Sequence, residues 1–201
     1  MFGTVSTSTA PVLPGFEHVH KMYDTDHGKV STKVMPGHYY VTIHDELIST
    51  VLGSCVAACI RDPDTGIGGM NHFMLPGSGA SAQTGGAGER SLKYGPNAMN
   101  ALIDTVVQWG GKRDNLELKL FGGGAVLDFD HNRIGEQNIR CARAFAQEHN
   151  LEIVAEDMGG EWPRKVVYDP ITGRAMVRRM RRLQAAMIVA DERRYMQGTV
   201  E

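Results

Sequence analysis

A chain of 201 residues, 42% of them hydrophobic, has enough apolar material for one domain with a sizeable core, while a formal net charge of -2 lacks the basic surplus of a general nucleic-acid binder. No run reaches the length of a transmembrane helix, and Met1-Phe2-Gly3-Thr4-Val5-Ser6 lacks the basic and apolar regions of a signal peptide, so a cytoplasmic protein without membrane insertion is expected. Three cysteines, Cys55, Cys59 and Cys141, do not make a disulfide framework, and Cys55-x-x-x-Cys59 lacks the second ligand pair of a zinc site.

Residues 1–30 are rich in Ser, Thr, Gly and His without an apolar period, which reads as a flexible leader; His18, His20 and His27 have no nearby Cys or carboxylate pattern to make them a metal site. After the turn at Pro36-Gly37 the chain alternates, with Tyr39, Val41 and Ile43 on one face of an expected strand. Two apolar runs follow, Leu52–Arg61 and Gly66–Pro76, joined by the turn Asp62-Pro63-Asp64-Thr65-Gly66. If Asp62 closes the hairpin opposite Thr65, Cys55 faces His72, and opposed residues of an antiparallel pair have Cβ atoms about 4.5–5.5 Å apart. One extra loop residue puts Phe73 there instead.

Residues 77–91 have the composition of a flexible loop, read either as a lid or as a floppy insertion. Met99, Leu102, Ile103, Val106 and Val107 recur at helical spacing over 97–109; Leu116, Leu118 and Leu120 alternate in a strand that runs into Gly122-Gly123-Gly124. Those glycines line a pocket or make a tight turn, and they are not a phosphate loop, because the Gly-x-x-x-x-Gly-Lys pattern is absent. Ile139, Ala142, Phe145 and Ala146 give a second helix carrying Cys141, followed by a strand over 151–156 and a second hairpin around Asp169-Pro170-Ile171-Thr172-Gly173. Two hairpins of one design suggest a largely antiparallel sheet. The last twenty residues interleave Arg with Met, Leu and Ile, either a basic tail or a partner-docking helix.

A thiol has a free pKa of about 8.5, so an imidazole that takes its proton makes it a nucleophile near neutrality. His72 is the natural general base and acid for Cys55. Gly53 and Ser54 are candidates for presenting backbone N–H groups to an oxyanion, with Gly123 a weaker one. Ser49 and Thr50 offer hydroxyls to orient the imidazole.

Leu52-Gly53-Ser54-Cys55-Val56-Ala57-Ala58-Cys59-Ile60-Arg61-Asp62-Pro63 and Gly68-Gly69-Met70-Asn71-His72-Phe73-Met74-Leu75-Pro76 closely resemble the CheD family of bacterial chemoreceptor glutamine deamidases. The likeness continues through Lys93-Tyr94-Gly95, Phe121-Gly122-Gly123-Gly124-Ala125, Ile134-Gly135-Glu136-Gln137-Asn138, Glu156-Asp157-Met158-Gly159-Gly160 and Arg164-Lys165-Val166, over roughly residues 33–180. It implies an α+β fold, a layered β-sandwich of largely antiparallel strands flanked by helices, resembling the catalytic domain of the cytotoxic necrotizing factor toxins. It divides the chain into a leader (1–30), a cysteine hydrolase domain (31–180) and a basic tail or helix (181–201). It implies Cys55 as nucleophile, His72 as its partner and, six positions before the cysteine, Ser49 as the third residue where the family typically has threonine, with Thr50 the alternative.

The implied reaction is hydrolysis of glutamine side chains on chemoreceptor cytoplasmic domains through a thioester, with no metal or organic cofactor. Two other readings accompany it: a non-catalytic binder of receptors or of a CheC-type phosphatase, and a receptor methylesterase.

Overall fold

The computed structural model describes residues 11–77, 91–126 and 132–180, and in the C-terminal region residues 187, 188, 190, 192, 194 and 195. The strands are β1 (Lys21–Asp24), β2 (Lys29–Lys33), β3 (His38–Thr42), β4 (Leu47–Leu52), β5 (Val56–Arg61), β6 (Gly68–His72), β7 (Glu117–Gly122), β8 (Glu152–Met158), β9 (Arg164–Tyr168) and β10 (Ala175–Arg179). The long helices are α1 (Gly95–Gln108) and α2 (Asn132–Glu148). One sheet runs β1-β2-β4-β9-β10 and the other β3-β6-β5-β7-β8; every pairing is antiparallel except β2 with β4 and β7 with β8.

The second sheet is covered on both faces, which explains why its central strands read as near-continuous apolar runs. Val56, Ala57, Ala58, Cys59 and Ile60 of β5 are all fully buried. α1 packs on β3, β5 and β6 through Met99, Leu102, Ile103 and Val106, and α2 packs on β5, β7 and β8. Ile48, Leu52, Val166 and Tyr168 of the first sheet join the same apolar cluster. The expected α+β sandwich with flanking helices is thus the observed architecture. Ile43, expected on one face of this strand with Tyr39 and Val41, instead lies exposed just past the end of β3.

Residues 11–30 are not the flexible leader that their composition suggested. β1 pairs with β2, and Phe16 packs edge-on against Tyr39 and Tyr40. Lys21 reaches the buried Glu46 at 2.8 Å, and the Tyr40 hydroxyl donates to the same carboxylate at 2.8 Å. A polar pattern misleads here because the buried charges are satisfied by one another. Residues 1–10 and the 78–90 stretch of the expected loop lie outside the described residues.

The β5–β6 hairpin closes with Asp62 N–H on Ile67 O at 2.9 Å and Gly66 N–H on Asp62 O at 2.9 Å. Val56 is bridged to Phe73 and Cys59 pairs with Met70, a register two residues away from the expected one. An even shift keeps every side chain on its face, so Cys55 and His72 stay on the same side as diagonal rather than opposed neighbours. Between the paired positions the ladder opens, and Ala58 N–H takes Asn71 Oδ1 at 2.9 Å in place of a backbone carbonyl.

β7 ends at Gly122, whose φ of 113° and lack of a side chain let the chain pass beside Cys55; a Cβ there would lie 2.2 Å from Cys55 O. Gly122→Ala is therefore expected to destabilise the protein by about 1–3 kcal/mol beyond backbone strain alone. The control is Gly28→Ala, at φ 68° with its nearest neighbour 3.8 Å away, which carries the strain of about 1–2 kcal/mol without the clash. Urea denaturation of the two variants measures the difference.

Candidate active site

β4 ends at Leu52 in one sheet and β5 begins at Val56 in the other, so Gly53-Ser54-Cys55 carries the chain across between them. All three of its carbonyls are captured. Gly53 O accepts from Gly124 N–H at 2.8 Å, Cys55 O from Gly123 N–H at 2.7 Å, and Ser54 O from the Asn138 side-chain amide at 3.1 Å. Because each carbonyl opposes the N–H of the following residue across a planar peptide, holding Gly53 O and Ser54 O on one side turns the Ser54 and Cys55 N–H groups to the other, the side to which Gly53 N–H also points. There they meet a carboxylate. Glu192 Oε1 accepts from Gly53 N–H at 2.8 Å and Cys55 N–H at 3.4 Å, and Oε2 from Ser54 N–H at 3.3 Å and Ser54 Oγ at 3.0 Å.

His72 sits at the end of β6, 1% exposed. The Thr50 hydroxyl donates its one proton to Val34 O at 2.8 Å, so at the 2.8 Å contact with His72 Nδ1 it acts as acceptor, and the imidazole proton is on Nδ1. Nε2 is left with its lone pair and no hydrogen-bond partner among the described residues. Cys55 Sγ, a ring nitrogen of His72 and a carboxylate oxygen of Glu192 all lie within 4.8 Å of one another. A buried thiol, a base with a free lone pair and three converging N–H groups are the components of acyl transfer through sulfur.

The sequence-derived residues divide. Cys55, His72, Gly53 and Ser54 come together as expected. Ser49 does not: it contacts Ser31 Oγ at 3.4 Å, on the face of β4 away from the imidazole, and Thr50 is the hydroxyl at His72. Strand alternation is the reason, because Ile48, Thr50 and Leu52 are buried together while Ser49 and Val51 share the other face. Gly123 is also displaced from its expected role. Its N–H is committed to Cys55 O, and a Cβ there would lie 2.5 Å from Ile139 Cγ1, so it shapes the turn from behind and has no donor left for an oxyanion.

Three further residues were not singled out from the sequence. Asn138, fully buried on α2, also donates to Met74 O at 2.9 Å and so ties the Ser54 loop to the chain beyond His72. Arg164, 2% exposed, donates to Gly122 O at 2.7 Å, bonds Gly159 O and pairs with Asp157 at 3.2 Å, fixing the glycine turn. Both lie in motifs that carry the family resemblance, which is the only signal for them. Glu192 has none, being one carboxylate in an arginine-rich segment.

Burial, and then the Glu192 carboxylate, push the Cys55 thiol well above its ordinary pKa. Burial pulls His72 down to about 3; the Val34 backbone opposes this, and the neighbouring His38 and Lys33 side chains add to the lowering. The pair is therefore neutral thiol and neutral imidazole with Glu192 in place. Cys55, His72 and Glu192 are also the one group among the described residues with a donor set for a soft divalent ion. Both Glu192 oxygens already serve N–H and O–H donors.

The unfolded chain binds a proton on His72 below the ordinary pKa of 6.5, whereas the folded protein does so only near 3. Stability contributed by the neutral, buried ring is thus present above 6.5 and is lost as the pH falls toward 3. In His72→Asn the acid limb of stability against pH should be shallower by the uptake of about one proton, read from urea titrations in the upper part of that window.

Sequence comparisons bear on the same residues. Residues 74–179 match the family model described as CheD chemotactic sensory transduction. Among curated relatives, a protein of Hahella chejuensis is 42% identical over 189 residues, covering 92% of this chain and 86% of that one, and one of Saccharophagus degradans is 43% identical with 92% and 87% covered. A protein of Herminiimonas arsenicoxydans is 47% identical over 174 residues, covering 86% and 85%. Each of the three bears the name "Probable chemoreceptor glutamine deamidase CheD". With a family model matched over more than half its length and relatives of this identity along nearly all of it, the chain belongs to the CheD family.

Proposed function

We propose that this protein is a hydrolase that converts glutamine side chains on the cytoplasmic domains of chemoreceptors to glutamate, adjusting receptor signalling in chemotaxis. The observation that carries the reading is the juxtaposition of Cys55 Sγ, a His72 ring whose Nε2 has no partner among the described residues, and the N–H groups of Gly53 and Cys55 aimed at one oxygen position, with Ser54 N–H beside it. The names of the relatives supply the substrate class.

In this reading His72 Nε2 takes the Cys55 proton as sulfur adds to the carboxamide carbon. The Gly53 and Cys55 N–H groups hold the developing oxyanion, already aimed and costing no reorganisation. His72 returns the proton to the leaving nitrogen, ammonia departs, and a γ-glutamyl thioester remains on Cys55. Water, deprotonated by the same nitrogen, releases glutamate and restores the thiol. Thr50 is a positioning residue, because its hydroxyl keeps the ring proton on Nδ1. The sandwich with helices over one sheet supports likeness to the cytotoxic necrotizing factor catalytic domain, and the receptor substrate implies work in the cytoplasm.

Peptide mass spectrometry of a receptor cytoplasmic fragment incubated with the wild type should show glutamine converted to glutamate, with ammonia released. Cys55→Ala should lower that rate by a factor on the order of 10⁶. Equal conversion by both would exclude Cys55 as nucleophile. If neither converts glutamine while both still bind a receptor or a CheC-type phosphatase, the protein is a binder instead. Methanol release from methylated receptor without ammonia would make it an esterase. Thr50→Val leaves Nδ1–H buried without an acceptor, at a cost of about 1–3 kcal/mol, so kcat should fall about 10- to 100-fold with KM little changed and the pH profile shifted.

A further inference from the structure

The group that fills the site belongs to the chain itself. The described residues from 187 to 195 are helical, and Ile188, Glu192 and Tyr195 recur at i, i+4 and i+7, the spacing of a single helix face. Ile188 and Tyr195 are half-buried and Glu192 is 3% exposed, whereas Met187, Ala190 and Arg194 are exposed. The inward residues line one small cavity together with Val34, Thr50 and His72. Tyr195 packs against the main core.

Glu192 matches the site chemically as well as in shape. A glutamate side chain is the product of glutamine hydrolysis, and its carboxylate has the planar geometry of the carboxamide that precedes it. Oε1 sits on the Gly53 and Cys55 N–H groups, where an oxyanion would be held, and the carboxylate approaches both the thiol and the imidazole. A buried carboxylate without donors would be expensive; here four donors satisfy it, all from the loop that carries the nucleophile.

We propose that the C-terminal helical segment is an inhibitor in cis: Glu192 occupies the site as a product mimic, and substrate gains access only when this helix leaves. The inference rests on the hydrolase reading. It also specifies the ligand: a glutamine borne on a helix, flanked on the same face by an apolar residue four positions before and an aromatic or apolar one three positions after. Departure of the helix removes a negative charge beside Cys55 and opens it to water, and both changes favour the thiolate.

Glu192→Gln makes the inhibitor a substrate. The Cys55 thiol would add to the introduced carboxamide, passing its proton through His72 to the leaving nitrogen; ammonia leaves, a thioester forms, and one water returns the thiol and leaves glutamate at position 192. Net, one water is consumed and one ammonia released per chain. Intact-mass and peptide analysis of the full-length variant, as purified and during incubation, should show this single conversion at a rate independent of protein concentration, and the same substitution combined with Cys55→Ala should retain its glutamine.

In parallel, Glu192→Ala should raise receptor-fragment deamidation and label Cys55 with iodoacetamide about tenfold or more faster than the wild type, the gain expected from one pH unit of thiol acidity. A glutamine that persists at position 192 while receptor fragment is converted at the wild-type rate would overturn the inference and leave the hydrolase reading standing. Conversion whose rate rises with protein concentration would overturn occupancy in cis. Absence of conversion by every variant, Glu192→Ala included, would remove both.

Discussion

The site depends on a constraint in the main chain: the carbonyls of Gly53, Ser54 and Cys55 are all taken from behind. Side chains adjust by rotation, but a peptide group turns as a unit, so fixing Gly53 O and Ser54 O fixes the Ser54 and Cys55 N–H groups, while fixing Cys55 O keeps Val56 N–H on Phe73 O. The Gly123 and Gly124 amides and the Asn138 side chain do the fixing, and Arg164 in turn holds the glycine turn through Gly122 O. Much of this support is main chain against main chain. Gly122 passes so near Cys55 that a methyl group would overlap its carbonyl, and Gly123 leaves room for Ile139 of α2. The nucleophile's position is therefore set by two sheets and a helix together, with little left to the cysteine's own rotamer.

A second chain of hydrogen bonds does for the imidazole what the captured carbonyls do for the loop. Val34 O takes the Thr50 proton, Thr50 Oγ1 takes the His72 proton, and Nε2 remains as acceptor. A neutral hydroxyl fixes the tautomer without stabilising an imidazolium as a carboxylate would. That agrees with the burial that holds His72 near 3 and with a Cys55–His72 pair that rests uncharged.

The parts of this arrangement that were legible in the sequence are those that depend on neighbours in the chain. Cys55 and His72 lie on one hairpin whose turn chemistry is written in Asp62-Pro63-Asp64-Thr65-Gly66, and the two-residue error in register did not separate them because side chains alternate with period two. Ser49 against Thr50 is the opposite case. A one-residue choice inverts the face, and that face is set by β4 pairing with β2 and β9, the latter more than a hundred residues away in the chain. The buried run Ile48, Thr50, Leu52 carried the needed alternation. Residues 11–30 were misread because Lys21 and Glu46 are buried as a pair, and composition does not report pairing. Asn138 and Arg164 act on backbone carbonyls, contacts for which residue type alone gives no partner.

Glu192 shows why an uncharged resting pair is compatible with a reactive one. A thiolate beside a buried carboxylate would be two like charges in a medium of low dielectric, so with Glu192 seated the proton stays on sulfur. A glutamine side chain in the same place is neutral and brings no such penalty, yet its one oxygen can take the place of Oε1 on the Gly53 and Cys55 N–H groups. The loop thus discriminates between substrate and product through the state of the cysteine rather than through shape: the amide permits ionisation and the acid suppresses it. Once hydrolysis has produced a carboxylate, its charge keeps the proton on sulfur and so blocks a second attack while the product is in place.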